Sequence, residues 1–242
     1  MTIALLFDLD GTLIDTADDL AASLNHVRQH LYDLPPLPAA QLRPYTSRGA
    51  AGLLHAGLDL KPEDAAFEKA RDLFLSHYAL HLTDHVRFFP GVEVLLALLE
   101  SRGLLWGIVT NKYQRFTAPV LAHLGLDRRA ACVVSGDTTA HSKPHPLPLL
   151  HAAQSVGTAP HQCWYIGDDH RDIDAARAAG FQYAVAVRWG YLGDKPIESW
   201  GADAIIEAPE QLWALVQGSE ARDRESEKCF NRKECIKHKK KV

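Results

Sequence analysis

The stretch FDLDGTL at residues 7–13 decides the fold, because it continues the apolar run IALLF at residues 3–7. Short, continuous apolar runs are typical of strands that are buried on both faces of a parallel sheet. Asp8 and Asp10 stand two residues apart, so we expect both carboxylates on the same face of this strand. They lie at its carboxyl end, where open α/β sheets bind their ligands. The stretch therefore predicts a parallel sheet with an acidic site at its edge.

The same two carboxylates predict a metal site. Like charges so close together raise one another's pKa unless a cation lies between them. Mg²⁺ suits such a pair, because it prefers oxygen ligands and often uses only one or two carboxylates. An EF-hand also contains Asp-x-Asp, but it requires Gly at its sixth position and Glu at its twelfth. This chain has Leu13 and Asp19 there, so we expect a Mg²⁺ site and not a calcium loop.

Further apolar runs of strand length recur along the chain, with helical stretches between most of them. This alternation predicts right-handed βαβ units around a parallel sheet, which is an α/β fold. The predicted strands are 3–7, 104–109, 131–135, 163–166, 183–187 and 204–206, and the predicted helices are 92–102, 116–124, 147–156 and 172–179.

The segment 16–87 interrupts the alternation. It has helical periodicity, with Leu20, Leu24 and Val27 on one face, and no convincing strand. We therefore predict a core of residues 1–15 and 88–217 with an inserted helical domain at 16–87. From residue 218 the sequence becomes highly charged without an amphipathic pattern, so we expect 218–242 to be a disordered tail.

The composition excludes several classes of protein. The 242 residues are 47% hydrophobic and 23% charged, which is ordinary for a globular chain. No apolar stretch approaches the roughly 20 residues of a membrane helix, and the first apolar run is too short for a signal-peptide core. The four cysteines form no CxxC pair. We expect a soluble, cytoplasmic protein with reduced thiols.

Charge is distributed unevenly along the chain. The segment 218–242 carries nine Lys or Arg and five Asp or Glu, although the whole chain has a net charge of −4. The remainder is therefore acidic, which argues against a nucleic-acid surface. We expect a small phosphorylated metabolite as the partner, no nucleic acid or membrane, and a monomer or homodimer.

Polar residues also follow the later predicted strands. Thr110, Asn111 and Lys112 end one strand and supply a hydroxyl, an amide and an ammonium group. Lys143 lies in the loop SKP before a helix, and the acids of GDDHRD at 167–172 end another strand. Each of these motifs, taken alone, is only weak evidence for an active site. Their shared position at strand ends predicts one active site.

With these motifs the chain resembles the haloacid dehalogenase-like (HAD) superfamily of phosphohydrolases. FDLDGTLIDT is similar to the first motif of that family, Thr110 to the second, Lys143 to the third and GDDHRDIDAARAAG to the fourth. The resemblance covers about residues 1–216 and implies a Rossmann-like core with a mobile helical cap. Within the superfamily, VTNK, SKPHPLPLL and WGYLGDKPIESWGAD resemble the phosphoglycolate phosphatase family.

The resemblance implies a mechanism of phosphomonoester hydrolysis. Asp8 is the expected nucleophile, which forms an aspartyl phosphate. Asp10 is expected to act as general acid and then as general base. The expected cofactor is Mg²⁺, held by the Asp8 carboxylate, the Asp10 main-chain carbonyl and Asp168.

The resemblance also implies residues that bind the phosphoryl group. The Thr110 hydroxyl and the Asn111 main-chain amide are expected to hold its oxygens, and Lys143 to balance the charge. Asp172 is expected to support the site by orienting Lys143 or a metal-bound water. Asp169 stands where many relatives have Ser or Thr, and it is expected to strengthen the metal site or to cap a helix.

Substrate identity is expected to come mainly from the cap. Arg48, in the loop SRGA, and Lys112 are candidates for binding an anionic group of the substrate. The resemblance favours 2-phosphoglycolate. GDDxRD, SRGA and WGY also resemble the N-acetylmuramic acid 6-phosphate phosphatase of peptidoglycan recycling, and a phosphosugar mutase of the superfamily stays open.

One alternative of a different class rests on HLTDH at residues 81–85. It is similar to the HxxEH motif of metalloproteases, which places two histidines four residues apart on one helix. Asp84 stands where that motif has Glu, and no further ligand motif follows. We therefore expect these to be surface histidines.

Overall fold

The computed structural model describes residues 3–193 and 195–219. The strands are β1 Ala4–Phe7, β2 Ile14–Asp15, β3 Arg87–Phe88, β4 Leu105–Val109, β5 Val133–Val134, β6 Cys163–Gly167, β7 Tyr183–Val187 and β8 Ala204–Ile206. Six of them form a parallel sheet in the order β5-β4-β1-β6-β7-β8. The predicted α/β class is confirmed.

Strand β1 lies in the middle of this sheet because every residue in it is apolar and buried. Ala4 lies opposite Leu105 of β4 and opposite Cys163 of β6. The carboxyl ends of these three strands therefore meet at one edge. The residues that follow them along the chain are brought together there.

Helices cover both faces of the sheet. They are α1 Ala17–Tyr32, α2 Ala39–Leu42, α3 Gly49–Leu58, α4 Phe67–His81, α5 Val92–Ser101, α6 Gln114–His123, α7 Leu147–Ser155, α8 His170–Ala178 and α9 209–219. Successive side chains of a strand point to opposite faces. Leu5 of β1 therefore packs in one apolar cluster with α5, α6 and α9, and Leu6 packs in the other with α7 and α8.

We use "cap" for residues 16–87, the segment between β2 and β3. Within it, α1 packs against α3 and α4. Strands β2 and β3 pair antiparallel, with Ile14 opposite Phe88. Asp15 of this pair is buried and forms ion pairs of 3.0 Å with Arg43 and with Arg87. The two crossings between cap and core therefore lie side by side.

Three expectations differ from the structure in detail. The segment 16–87 was expected to hold no strand, but Arg87 belongs to β3, where two residues suffice to pair with β2. The strand expected at 131–135 shortens to Val133–Val134. The tail was expected to begin at residue 218, but residues 218 and 219 continue α9. The rest of the predicted tail lies outside the described residues.

In the described part of the chain, no helix is both long and apolar enough to cross a membrane.

Candidate active site

The site lies at the carboxyl edge of the sheet. Asp8 follows β1, Thr110 follows β4 and Asp168 follows β6. These strands are neighbours, so residues far apart in sequence meet. Lys143, from the loop between β5 and α7, joins them and is 4% exposed.

Three carboxylates converge in this site. One oxygen of each of Asp8, Asp168 and Asp172 lies within 4.8 Å of the others. Burial and the charge of Asp8 hold the pKa of Asp168 well above its usual range. Burial raises the pKa of Asp172 to about 7, although Lys143 opposes the shift. A cation between these oxygens would offset the repulsion, so the group can hold a divalent metal ion.

Asp168 is held from both sides. Its Oδ1 accepts a hydrogen bond from Oγ1 of Thr12 at 3.0 Å, and its Oδ2 accepts one from the main-chain N–H of Tyr191 at 2.8 Å. Gly11 lies against the same carboxylate with φ +89°, and a Cβ there would stand 2.1 Å from Asp168 Oδ2. Only glycine fits this turn, because both the backbone angle and the space exclude a side chain.

Lys143 sits at the centre of a hydrogen-bonded cluster. Its Nζ lies 2.8 Å from Asp8 Oδ1 and 2.7 Å from both Asp172 Oδ1 and the Tyr165 hydroxyl. Burial opposes its charge, but the two carboxylates outweigh burial and raise the pKa of Lys143. The Asn111 side chain holds the main chain of Lys143, donating to its carbonyl and accepting from its N–H, both at 2.9 Å. Lys143 is therefore a fixed positive charge beside Asp8.

Asp10 has different neighbours. Its Oδ1 accepts hydrogen bonds from Thr16 Oγ1 at 2.7 Å and from Lys112 Nζ at 3.0 Å. Lys112 also donates to the hydroxyl of Tyr78 in α4. Burial opposes the Lys112 charge, but Asp10 and Tyr78 outweigh burial and raise its pKa. The Asp10 carboxylate is not part of the group of three, and its main-chain carbonyl as a metal ligand stays a prediction.

The beginning of α8 orders the acids of the fourth motif. Asp169 caps the helix by accepting from the N–H of Arg171, and the Asp172 side chain accepts from the N–H of Asp169 at 3.0 Å. Arg171 pairs with Asp169 at 2.8 Å and donates to the main-chain carbonyl of Ser47 in the cap at 2.6 Å. Asp169 therefore acts as a helix cap and as the anchor of an arginine that reaches the cap. It is outside the three-carboxylate group.

A cavity of about 430 Å³ lies between this edge and the cap. Three buried polar atoms of its lining residues lack a hydrogen-bond partner among the described residues: Asp8 Oδ1, Ser47 Oγ and Arg71 Nε. Asp8 Oδ1 nevertheless lies 2.8 Å from Lys143 Nζ and forms an ion pair with it. Buried polar atoms are rarely left unpaired in folded proteins. The guanidinium of Arg71 also pairs with Glu68 at 3.1 Å, so Ser47 Oγ and Arg71 Nε are the two atoms left for contacts with a ligand.

The cavity brings together most of the predicted site residues. Its wall includes Asp8, Asp10, Arg48, Thr110, Asn111, Lys112, Lys143, Asp169 and Asp172. Asp168 is not in the wall but lies behind it, 1% exposed. The sequence analysis missed Arg71, Arg115 and Arg171, which line the cavity too. Arg171 could have been found from its place inside GDDHRD, whereas no sequence signal marks the other two.

The proposed HxxEH-like motif does not form on a single helix. Helix α4 ends at His81, so His85 lies beyond it. His81 Nδ1 contacts Asp84 Oδ2 at 2.8 Å, and His85 Nδ1 contacts Asp19 Oδ1 at 2.8 Å. The two histidines thus have separate partners, as expected for residues that do not share a metal.

Comparison with known proteins assigns the chain to a family. The family model described as "Haloacid dehalogenase-like hydrolase" matches residues 5–186. A phosphoglycolate phosphatase of Xanthomonas campestris pv. campestris is 47% identical over 214 residues, covering 87% of this chain and 94% of that protein. An N-acetylmuramic acid 6-phosphate phosphatase of Pseudomonas aeruginosa is 41% identical over 211 residues, covering 86% and 92%.

Solved structures agree with this assignment. The crystal structure of a predicted phosphoglycolate phosphatase from Haemophilus somnus 129pt matches with a TM-score of 0.79 and 27% identity, covering 89% of this chain and 98% of that one. These matches cover most of the chain, so the resemblance expected from the motifs is confirmed. The chain therefore belongs to the haloacid dehalogenase-like hydrolases, and within them it is a phosphatase.

Proposed function

We propose that the chain is a Mg²⁺-dependent phosphomonoester hydrolase that works through an aspartyl phosphate, with 2-phosphoglycolate as its substrate. One observation carries the chemical part. The Asp8 carboxylate lines the cavity, and its Oδ1 lies 2.8 Å from the ammonium group of Lys143. An anion beside a fixed cation is suited to attack a phosphate ester, because the cation also receives the substrate's charge.

Asp8 is the nucleophile in the first half of the reaction. Its oxygen forms a bond to phosphorus while the bond from phosphorus to the alkoxide oxygen breaks. Lys143 stays protonated throughout and faces both the nucleophile and the incoming phosphate. Asp8, Asp168 and the Asp10 carbonyl would hold Mg²⁺, which would neutralise charge on the phosphoryl oxygens.

Asp10 moves the proton. In the first half it gives a proton to the leaving alkoxide, and in the second half it takes one from the attacking water. The water oxygen then bonds to phosphorus, the bond to Asp8 breaks, and free Asp8 and phosphate result. Lys112 and Thr16 occupy Asp10 Oδ1, so Oδ2 is the oxygen that we assign to the proton transfer.

The phosphoryl oxygens bind at the end of β4. Thr110 and Asn111 follow that strand and line the cavity. We assign the Thr110 hydroxyl and the Asn111 main-chain N–H to these oxygens. The Asn111 side chain has a separate task, because it already holds the main chain of Lys143.

The cap binds the rest of the substrate. Arg48 and Arg71 line the cavity. One nitrogen of the Arg71 guanidinium pairs with Glu68 at 3.1 Å, and its Nε is buried without a hydrogen-bond partner among the described residues. Arginine binds a carboxylate through two parallel hydrogen bonds, and 2-phosphoglycolate carries a carboxylate. The relative at 47% identity is named for this activity, which supports the same substrate.

One observation favours a second candidate, N-acetylmuramic acid 6-phosphate. The cavity of about 430 Å³ is within the ~300–1,000 Å³ of sites for drug-sized ligands, and a two-carbon phosphate fills only part of it. Leu75, Tyr78 and Phe116 give it an apolar wall that suits a sugar ring. That sugar phosphate also carries a carboxylate, and the relative at 41% identity is named for its hydrolysis.

The deciding experiment is phosphate release from both compounds, with Mg²⁺ and with EDTA. We expect kcat/KM of about 10⁴ M⁻¹s⁻¹ or more for 2-phosphoglycolate, and none with EDTA. A higher kcat/KM for the sugar phosphate would transfer the assignment to it, and no metal-dependent release from either would reject the phosphatase mechanism.

The role of Arg71 is tested in the same assay. Arg71→Gln removes the unpaired Nε and should raise KM about tenfold or more, because it removes a charged hydrogen bond worth ~1.5–3 kcal/mol. Lys69→Gln is the matched control, because Lys69 lies on the same helix, is exposed and does not line the cavity. Equal KM values for the two variants would reject Arg71 as a substrate ligand.

We also propose a cytoplasmic enzyme, monomer or homodimer, that acts on a small phosphorylated metabolite without binding nucleic acid. The acidic composition of the chain outside residues 218–242 supports the absence of nucleic-acid binding, and the phosphatase relatives support the small phosphorylated substrate.

A further inference from the structure

Arg171, the second residue of α8, reaches from the core to the cap. Its Nη2 donates to the main-chain carbonyl of Ser47 at 2.6 Å, although the two residues are 124 positions apart in the chain. Both residues line the cavity. A side chain of the core therefore holds one piece of the cap wall in place.

Asp169 fixes the direction of this arginine. Asp169 Oδ1 accepts a hydrogen bond from Arg171 Nε at 2.8 Å, and Asp169 Oδ2 accepts one from Nη2 at 3.0 Å. Burial opposes the charge of the guanidinium, but Asp169 outweighs burial and raises the pKa of Arg171. Arg171 is therefore charged and oriented before a substrate enters the cavity.

The carboxylate of Asp169 does more than a helix cap requires. Serine and aspartate are both favoured N-cap residues, because either side chain can accept from a main-chain N–H of the first turn. Two parallel hydrogen bonds from a guanidinium, however, need the two oxygens of a carboxylate. Anchoring Arg171 is therefore a second task of Asp169, which a serine could not perform.

Ser47 is the residue that this arrangement positions. Its Oγ is buried and has no hydrogen-bond partner among the described residues, and Ser47 lines the cavity. Buried hydroxyl groups are rarely left unpaired. Only one side-chain torsion lies between the main chain of a serine and its Oγ, so the contact with Arg171 also limits where this hydroxyl can be.

We propose that Arg171, clamped by Asp169, is a positioning residue for substrate selection: it holds Ser47 so that the serine hydroxyl binds a polar group of the substrate beyond the phosphoryl group. A carboxylate or hydroxyl oxygen is the expected group, because a serine hydroxyl can donate to either. Arg171 itself takes no part in bond breaking. The inference rests on the proposed function only in that the substrate occupies this cavity.

The kinetic test compares the preferred substrate with phenyl phosphate, which has no polar group beyond its phosphoryl group. Arg171→Gln and Asp169→Ser should each raise KM for the preferred substrate about tenfold or more, because the anchored contact to Ser47 is lost. Both variants should change kcat, and KM for phenyl phosphate, by less than about threefold. A merely structural role would impair both esters alike.

Arg177→Gln is the matched control. Arg177 lies on the same helix and has the same kinds of partner, a carboxylate and a main-chain carbonyl, but both belong to the core. It pairs with Asp203 at 2.8 Å and donates to the Gly201 carbonyl at 2.7 Å. Its replacement should leave KM unchanged for both esters.

A second readout does not require the proposed substrate. Amide hydrogen exchange of residues 45–52, followed by mass spectrometry, should be about tenfold faster in Arg171→Gln and Asp169→Ser than in the parent and in Arg177→Gln. If the parent hydrolyses phenyl phosphate but neither proposed substrate, the substrate assignment fails and the exchange rates alone decide the role of Arg171.

Two results would overturn the proposal. One is an equal rise in KM for both esters, and the other is unchanged exchange of residues 45–52 in both variants. Circular dichroism shows whether each variant is folded. If Arg171→Gln does not fold, Asp169→Ser carries the test, because serine keeps the N-cap of α8.

Discussion

Tyr165 offers a quantitative test of how Lys143 is held. It is buried in β6, and its hydroxyl donates to the Val109 carbonyl at 2.6 Å and accepts from Lys143 Nζ at 2.7 Å. Tyr165→Phe keeps the ring and removes only this oxygen. The change therefore removes two buried hydrogen bonds and leaves the packing of the ring intact.

The expected loss of stability follows from those two contacts. A hydrogen bond to a charged group contributes ~1.5–3 kcal/mol, and a neutral one ~0.5–1.5 kcal/mol. Lys143 keeps two carboxylate partners, so we expect a loss of about 3 kcal/mol in the free energy of unfolding. For a chain of 150–250 residues, each 1 kcal/mol lowers Tm by roughly 2–4 °C. Tyr165→Phe should therefore lower Tm by roughly 6–12 °C.

Thermal unfolding followed by circular dichroism measures this shift. Tyr183→Phe is the matched control, because Tyr183 lies on the neighbouring strand β7 and stacks on Trp164. Among the described residues its hydroxyl has no hydrogen-bond partner, so its Tm should change by less than about 2 °C. If the two variants melt at the same temperature, the hydroxyl of Tyr165 does not hold Lys143 as we describe.

Further predictions concern the nucleophile, the turn after β1 and the thiols. Asp8→Asn keeps the shape and removes the charge, so phosphate release should fall by about 10³-fold or more while Tm stays within a few degrees; retained turnover would remove Asp8 as the nucleophile. Gly11→Ala should weaken Mg²⁺ activation and cost about 2 kcal/mol or more, because its Cβ meets a metal-site carboxylate. Gly103→Ala, with φ +68° but open space around it, should cost only about 1 kcal/mol and spare Mg²⁺ activation; equal effects in the two variants would contradict the steric argument. Burial raises the pKa of Cys132 and of Cys163 to about 11, so both are protonated thiols at pH 8, and mass spectrometry should find them alkylated far more slowly in the folded than in the unfolded chain. Fast labelling of the folded chain would contradict that burial.

The convergence of the site could be predicted because the strands are parallel. Asp8, Thr110 and Asp168 each follow an apolar run, and parallel strands end at one edge. This prediction did not require the strand order, because the ends of neighbouring parallel strands lie close together in any order. Helix α8 begins two residues before its predicted start, because the N-cap formed by Asp169 extends the helix beyond its apolar pattern.

Tyr165 could not be predicted as part of the site. In the sequence it belongs to a continuous apolar strand, where a tyrosine is indistinguishable from packing. Its role arises because β1 separates β6 from β4, and its hydroxyl reaches across to Val109. Such contacts depend on strand order, which the residues of one strand do not encode.

Arg71 was unpredictable for a different reason. It lies on α4, an amphipathic helix whose apolar face marks the side that is buried within the cap. That pattern does not indicate which polar side chains of the helix face the cavity between the cap and the sheet. That information lies in how the cap sits over the sheet, which is a property of tertiary packing.

The pairing of β2 with β3 has a consequence for how such enzymes diversify. Ile14 and Phe88 lie opposite each other in a separate two-stranded sheet, so the whole helical insertion leaves and rejoins the core at one place. Replacing that insertion would disturb the core no more than replacing a loop, because the two points of attachment keep their spacing. The carboxylates and Lys143 stay where they are when the helices are exchanged. With the substrate role that we propose for the cap, bond breaking and substrate choice can evolve as two interchangeable parts.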